Sequence, residues 1–189
     1  MLNTTIVALA TPFMESAIAI IRLSGKDSIK IINELFTKDL TNAKSQSIHY
    51  GYLKYQDEII DEVMVSVFRA PRTYTCEDMI EISTHGSLII INKVITACVA
   101  LGAVIAERGE FTKRAYLNGR IDLIQAESIN DIIHGDSEEA INIALSGLKG
   151  NVSNLIKENC FTSVVFVFVL NVKFVSSTVT SELDCNSVT

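Results

Sequence analysis

Short, β-rich apolar runs that alternate irregularly with segments of helical spacing restrict the fold more than any other feature of this sequence. Thr5–Leu9 and Ala17–Leu23 are separated by a link that contains Pro12, which predicts two strands joined by a loop. Ser47–Tyr55 and Val63–Phe68 are again strand-like, and the acidic segment between them predicts a hairpin. Because no regular strand–helix–strand repeat links these runs, the pattern favours an α+β fold with a mixed sheet and packed helices.

Apolar residues at helical spacing predict helices between these strands. A Ser-Gly stop at 24–25 precedes isoleucines and leucines spaced for one helix of about three turns. Met79–Ser83 predicts a short strand, and His85-Gly86 is interpreted as a turn into an amphipathic helix that Gly102 ends. Ala103–Glu107 predicts one further strand before the charged segment that follows.

The pattern changes after Gly119. Asp122 with Gln125, and Asp136 with Glu139, predict the capped starts of two helices. Apolar stripes on both helices predict a helical hairpin that buries them between its arms or against a partner: Ile129, Ile132, Ile133, Ile141, Ala144, Leu145 and Leu148. We therefore expect an α+β domain at 1–118 and part of a helical domain at 119–158.

The segment 159–189 departs from the helical pattern. It begins with a run of valine and phenylalanine and ends in a stretch rich in serine, threonine and valine with almost no charge. One interpretation is a β-hairpin or an edge strand. We prefer the other, in which this tail does not belong to the original fold, as after a reading-frame change. In either case the segment is apolar, β-prone and free of proline, which predicts aggregation.

Composition and missing motifs exclude several classes of function. The net charge of -6 argues against a protein that wraps nucleic acid by bulk electrostatics. The sequence contains neither a GxxxxGK[ST] phosphate loop nor GxGxxG, HExxH or GxSxG motifs, so we expect no GTP site in this chain. Its apolar runs are far shorter than the roughly 20 residues of a membrane span. The four cysteines form no CxxC pair, which favours reduced thiols in a cytoplasmic protein.

Two charged residues inside apolar strands are the first candidates for a binding site, because an unpaired buried charge is costly. Arg22 lies near the end of its apolar run, and Glu81 lies between two isoleucines. Either they face solvent or pair with each other or with neighbours, or they are the cationic and anionic anchors of a ligand site. In the second case a basic edge adds to the site, although it is equally typical of a solvated helix face. It comprises Arg108, Lys113, Arg114 and Arg120.

Histidine and cysteine give no such candidates. The three histidines, at 49, 85 and 134, are scattered, and we interpret them as ordinary surface or turn residues. Cys98 lies on an apolar helix face and is interpreted as a small core residue. We therefore expect no metal site and assign no catalytic residue.

Four segments resemble, in order and spacing, the N-terminal part of the tRNA modification GTPase family called MnmE or TrmE. The resemblance extends from Thr5 to about Glu158, and the last of these segments is its most specific part. The segments are TIVALATP at 5–12, AIAIIRLSG at 17–25, PRTYTCEDMIEISTHG at 71–86 and RGEFTKRAYLNGRIDLIQAESINDII at 108–133.

The resemblance implies a folate-binding, dimer-forming domain similar in fold to the folate domain of the glycine-cleavage aminomethyltransferase. A helical domain follows, into which a GTPase domain is normally inserted. In family members a reduced folate, of the 5-formyltetrahydrofolate class, supplies a one-carbon unit for modifying the wobble uridine of certain tRNAs. A flavoprotein partner called MnmG or GidA takes part in that reaction.

The family positions for folate contact match Arg22, Glu81 and Arg120, where arginine replaces the more usual lysine. One carboxylate can accept the adjacent amine and ring N–H of a pterin, so Glu81 is the candidate for ring recognition. The two arginines suit the oxo group or the carboxylates of the glutamyl tail, and the sequence leaves open which does which.

This chain departs from the family pattern at loop positions and in its last part. Family members usually have glycines where this chain has Phe13–Ser16, and a glycine where it has Cys76, so we expect strain or a narrower site there. The family's phosphate loop and its Cys-x-Gly-Lys ending do not occur. The leading hypothesis is a folate-binding homodimer that is not catalytic alone. The alternatives are an association module or decaying gene product without ligand binding, and an aminomethyltransferase-like folate enzyme.

Overall fold

The computed structural model describes residues 4–150. Contacts divide the chain into two compact units, with the division between Ile121 and Asp122, close to the boundary that we expect near residue 119. The segment 159–189, for which we expect a non-native tail, lies outside the described residues.

The first unit is built on a six-stranded mixed sheet. Neighbouring strands pair antiparallel except at one edge, where β1 and β6 are parallel. The α+β fold predicted from the sequence is therefore confirmed. In the order β3-β4-β5-β2-β1-β6, the strands are β1 (Ile6–Leu9), β2 (Ser16–Ser24), β3 (Ser47–Tyr55), β4 (Glu58–Phe68), β5 (Met79–Gly86) and β6 (Val104–Ile105).

Two helices, α1 (Ser28–Leu35) and α2 (Leu88–Ala100), pack on one face of this sheet. Ile21 and Leu23 of β2 are buried in the core that these helices share with the sheet. Because side chains alternate along a strand, Ile18 and Arg22 point to the opposite face, where Ile18 is exposed and Arg22 half-buried. We call this opposite face the outer face, and it carries the candidate site.

Three elements differ from the sequence prediction. The turn predicted at His85-Gly86 is wrong, because β5 continues to Gly86, which pairs with Ser16. A Cβ at Gly86 would collide with the backbone of Ser16, so this glycine permits close strand pairing instead of a turn. Strand β6 covers only two of the five residues expected, and the charged segment after it forms helix α3 (Glu110–Leu117).

The second unit is described from 122 to 150 and contains α4 (Leu123–His134) and α5 (Glu138–Leu148), which pack together as predicted. Asp122 and Gln125 form the predicted capping box. The cap predicted at Asp136 is wrong, because the hydroxyl of Ser137 accepts from the N–H of Ala140 at 3.1 Å. The hairpin does not bury Ile133 between its arms, since that residue is 70% exposed. No helix in the described part of either unit has the length and apolar content to span a membrane.

Candidate functional site

Arg22 and Glu81 lie directly opposite each other on β2 and β5. The Nε and Nη2 atoms of Arg22 donate to Oε1 of Glu81 at 2.9 and 2.6 Å, and the two side chains are 28% and 23% exposed. Arg22 and Glu81 therefore form an ion pair with each other across the two strands. Both hydrogen bonds end on one oxygen, so Oε2 of Glu81 accepts none from any residue between 4 and 150.

Two aromatic rings flank the guanidinium of Arg22. The ring centroids of Tyr74, in the loop before β5, and Phe111, on α3, lie 5.7 and 5.5 Å from its Cζ atom. Both distances are within the range of cation–π attraction. The Cζ atom of Arg120 lies 4.9 Å from the same Tyr74 ring, and its Nη1 donates to the Tyr74 carbonyl at 3.4 Å. Tyr74 therefore links Arg22 to Arg120, and Arg22 pairs with Glu81, so the three predicted site residues form one cluster.

A buried ion network holds the Tyr74 loop and α3 against the sheet. Arg114 of α3 has a side chain only 3% exposed. Its Nη1 donates to both carboxylate oxygens of Glu77 at 3.2 and 3.1 Å and to the carbonyl of Thr4 at 2.8 Å. Its Nη2 donates to Glu110 at 2.9 Å, and Ser24 of β2 donates to Glu77 at 2.7 Å. These contacts fix the two elements that carry the aromatic rings beside Arg22.

This network corrects one prediction. Arg114 is not part of an exposed basic edge, because two carboxylates compensate its charge in the interior. Burial raises the pKa of Glu110, but hydrogen bonds from the backbone of Glu107 and from Arg114 outweigh it, so the pKa lies below its ordinary value. The Glu110 side chain is consequently ionised at neutral pH.

The loop beside the cluster contains the strain expected at Cys76. This residue has φ of 61°, in the left-handed region that favours glycine. Met14 has no positive φ, so of the two effects expected there, strain or a narrower site, the backbone shows no left-handed strain. Cys76 therefore adopts, at a cost, a backbone conformation that glycine adopts freely.

Three of the cavities formed by the described residues lie elsewhere on the first unit. One of these three, of about 530 Å³, lies between α2 and the β3–β4 hairpin. One of the other two, each of about 280 Å³, adjoins β6 and α3, and the second lies on the outer face near His85. None of the three is lined by Arg22, Glu81 or Arg120. A ligand held at the cluster would therefore use a site separate from these cavities.

His85 and Cys98 have different surroundings in the first unit. His85 lies exposed on β5, and its Nδ1 is 2.8 Å from Oδ1 of Asp61. Cys98 is buried, as predicted, and burial raises the pKa of its thiol to about 12. No three histidine, cysteine, aspartate or glutamate side chains between 4 and 150 are arranged to hold a metal ion.

Sequence reasoning missed Tyr74, Phe111 and Glu77 as supports of the cluster, and it named Arg114 only as part of an exposed basic edge. Tyr74, Phe111, Glu77 and Arg114 all lie within the segments that carry the resemblance. Aromatic residues adjacent to charged ones in those segments were the available signal. It does not say which charge each ring contacts, because the contacts join residues as far apart as Thr4 and Arg114.

Comparison with known proteins identifies the family. The model of the GTP-binding protein TrmE N-terminus matches residues 5–120. A tRNA modification GTPase MnmE from Listeria welshimeri is 50% identical over 155 residues, which are 81% of this chain and 34% of the relative. The MnmE proteins of Streptococcus thermophilus and Enterococcus faecalis are 51% and 48% identical, over 80% and 81% of this chain and 34% of each relative. The chain thus spans about a third of these relatives. Since the TrmE N-terminus model covers more than half of its residues and includes the Arg22–Glu81–Arg120 cluster, the chain belongs to the TrmE N-terminal family.

Proposed function

We propose that this chain binds a reduced folate of the 5-formyltetrahydrofolate class at the cluster of Arg22, Glu81 and Arg120. The observation that carries the proposal is that Arg22 and Arg120 both lie against the ring of Tyr74, while Arg22 also pairs with Glu81, 59 residues away in the sequence. A reduced pterin presents an amine beside a ring N–H, and its glutamyl tail presents carboxylates. A carboxylate with an unused oxygen and an exposed guanidinium complement these groups.

In this function the chain binds and orients the folate as a one-carbon donor for modification of the wobble uridine of tRNA. The relatives' name, tRNA modification GTPase, supports this reaction class. The proposed partners are tRNA and a flavoprotein of the MnmG or GidA type, in the cytoplasm. We assign no catalytic residue, because the cluster consists of charged binding groups and aromatic rings.

Titration calorimetry with 5-formyltetrahydrofolate tests the proposal. We expect the wild type to bind, and Glu81→Gln to bind at least about tenfold more weakly, because a charge-assisted hydrogen bond contributes about 1.5–3 kcal/mol. Glu34→Gln is the matched control, since Glu34 is exposed on α1, on the other side of the sheet. A wild type that releases no heat would refute folate binding. Equal affinities of the wild type and Glu81→Gln would remove Glu81 from the site.

A second candidate is an association module that forms a homodimer without binding folate. Its support is the exposed apolar surface beside the cluster, because such patches mark protein interfaces. The strand register places Ile48 in the same row across the sheet as Arg22 and Glu81. Tyr50 and Met64 lie in the next row, and the side chains of Ile48, Tyr50 and Met64 are all exposed. The strained backbone of Cys76 also favours this candidate.

Sedimentation analysis combined with the folate titration separates the two candidates. A folded dimer that binds no folate at millimolar ligand would favour the association module. A dimer that binds the folate supports the first proposal. A monomer at tens of micromolar protein would contradict the dimerisation that we propose in both cases.

A further inference from the structure

We infer that the cavity between α2 and the β3–β4 hairpin binds a free α-amino acid with a large apolar or aromatic side chain. The volume of this cavity, about 530 Å³, is within the range of small-molecule sites. It is lined by none of the three charged residues of the proposed folate site, so the inference is independent of that function. It is carried by hydrogen-bond donors on one wall, acceptors on the other, and apolar residues between them.

Helix α2 supplies hydrogen-bond donors to the cavity. Asn92, Lys93 and Thr96 line it from one side of this helix. All three are exposed, and the side chains of Asn92 and Thr96 form no hydrogen bond with any residue between 4 and 150. An ammonium, an amide NH₂ and a hydroxyl all donate hydrogen bonds, so this wall suits a carboxylate.

The hairpin supplies acceptors on the opposite wall. Glu58 begins β4, and Gln56 lies in the turn before it. Oε2 of Glu58 lies 3.7 Å from Nζ of Lys93, and the two side chains are 78% and 55% exposed. A pair so exposed contributes little to stability, so a ligand separates it at small cost. A zwitterion then compensates both charges: its carboxylate lies at Lys93, and its ammonium donates to Glu58 and to the amide oxygen of Gln56.

Apolar residues line the rest of the cavity and determine the side chain that it takes. Ala97 is buried, and Tyr55 and Ile60 are half-buried against the core. Ile89 is 70% exposed, so a ligand that covers it removes apolar surface from water. Glycine has no side chain to cover these residues, whereas phenylalanine or leucine does. Because an α-amino acid has no net charge, the chain's net charge of -6 does not repel it.

Titration calorimetry on the full chain tests the inference with L-phenylalanine as the probe. N-acetylphenylalanine and phenylalaninamide each lack one of its two charges, and we expect both to bind about tenfold more weakly or worse. Glycine should also bind at least about tenfold more weakly. Lys93→Gln and Glu58→Gln should each weaken phenylalanine about fivefold to tenfold. Lys30→Gln, at an exposed position on α1 outside the cavity, is the matched control and should change the affinity by less than about twofold.

A variant that fills the cavity provides a test that does not depend on charge. Thr96→Trp places a large ring in the cavity from an exposed helix position, so it should abolish binding while the circular dichroism spectrum stays unchanged. Persistent binding in this variant would overturn the site.

Two other outcomes would overturn the inference. A wild type that binds neither phenylalanine nor leucine at millimolar ligand refutes it, and equal affinities for phenylalanine and N-acetylphenylalanine refute the recognition of a zwitterion. The folate titration is separate. A protein that binds the folate but no amino acid refutes only this inference, and a protein that binds phenylalanine but no folate refutes only the proposed function.

Discussion

Replacing Arg114 with methionine should destabilise the first unit by about 3–5 kcal/mol, the cost of removing one partner from a buried ion pair. The guanidinium donates to Glu77, Glu110 and the carbonyl of Thr4. The two carboxylates are only 15% and 18% exposed, so water does not replace the lost donors freely. Methionine keeps much of the aliphatic volume, so the loss reports mainly on charge and hydrogen bonding.

Urea denaturation followed by circular dichroism measures this loss. Lys113→Met is the matched control, because the neighbouring lysine is exposed on the same helix and should change stability by less than about 0.5 kcal/mol. Adding Glu77→Gln to Arg114→Met should recover part of the loss, because it removes one of the two uncompensated carboxylates. Equal stabilities of Arg114→Met and Lys113→Met would refute the role of the network.

Arg114→Met should also change how the free energy of unfolding depends on pH. The folded-state pKa of Glu110 is lowered, so its ion pair stabilises the fold above the unfolded-state pKa, and this stability is lost as the pH falls through the folded-state value. Arg114→Met removes one cause of the lowered pKa. The unfolding free energy of the variant should therefore fall less steeply below about pH 5 than that of the wild type. A steeper fall in the variant would contradict this assignment.

Three further predictions concern the backbone, a helix cap and a thiol. Cys76→Gly should stabilise the first unit by about 0.5–1 kcal/mol, because glycine adopts the left-handed conformation at this position without strain. The control variant Cys76→Ala should give no gain in stability. An unchanged or lower urea midpoint for Cys76→Gly would contradict the prediction. Ser137→Ala should reduce the helical signal and cost about 1 kcal/mol, more than Asp136→Ala, and the reverse order would refute the cap at Ser137. When maleimide labelling of the folded protein at pH 8 is mapped to individual cysteines, it should modify Cys76 and spare Cys98. The reason is that burial raises the pKa of the Cys98 thiol to about 12. Labelling of Cys98 before unfolding would show that reagent reaches the core there.

Local patterns in the sequence determined the class of the fold and the face on which the candidate residues lie. A short, β-rich apolar run identified β2, and helical spacing identified α1 and α2. The first helix cap of the second unit was also predictable, because a capping box is contained within four residues. These features depend on near neighbours in the chain, and a single sequence contains that information.

Tertiary contacts decided the features that depend on distant residues. Alternation puts Arg22 and Glu81 on strand faces, but only the register between β2 and β5 sets them opposite each other. A cluster of charges at 108–120 is compatible with a solvated edge, and only the packing of α3 onto the loop before β5 buries Arg114 against Glu77. The period of a strand or helix specifies the direction of a side chain but not its partner, because the partner is chosen by long-range packing free energy.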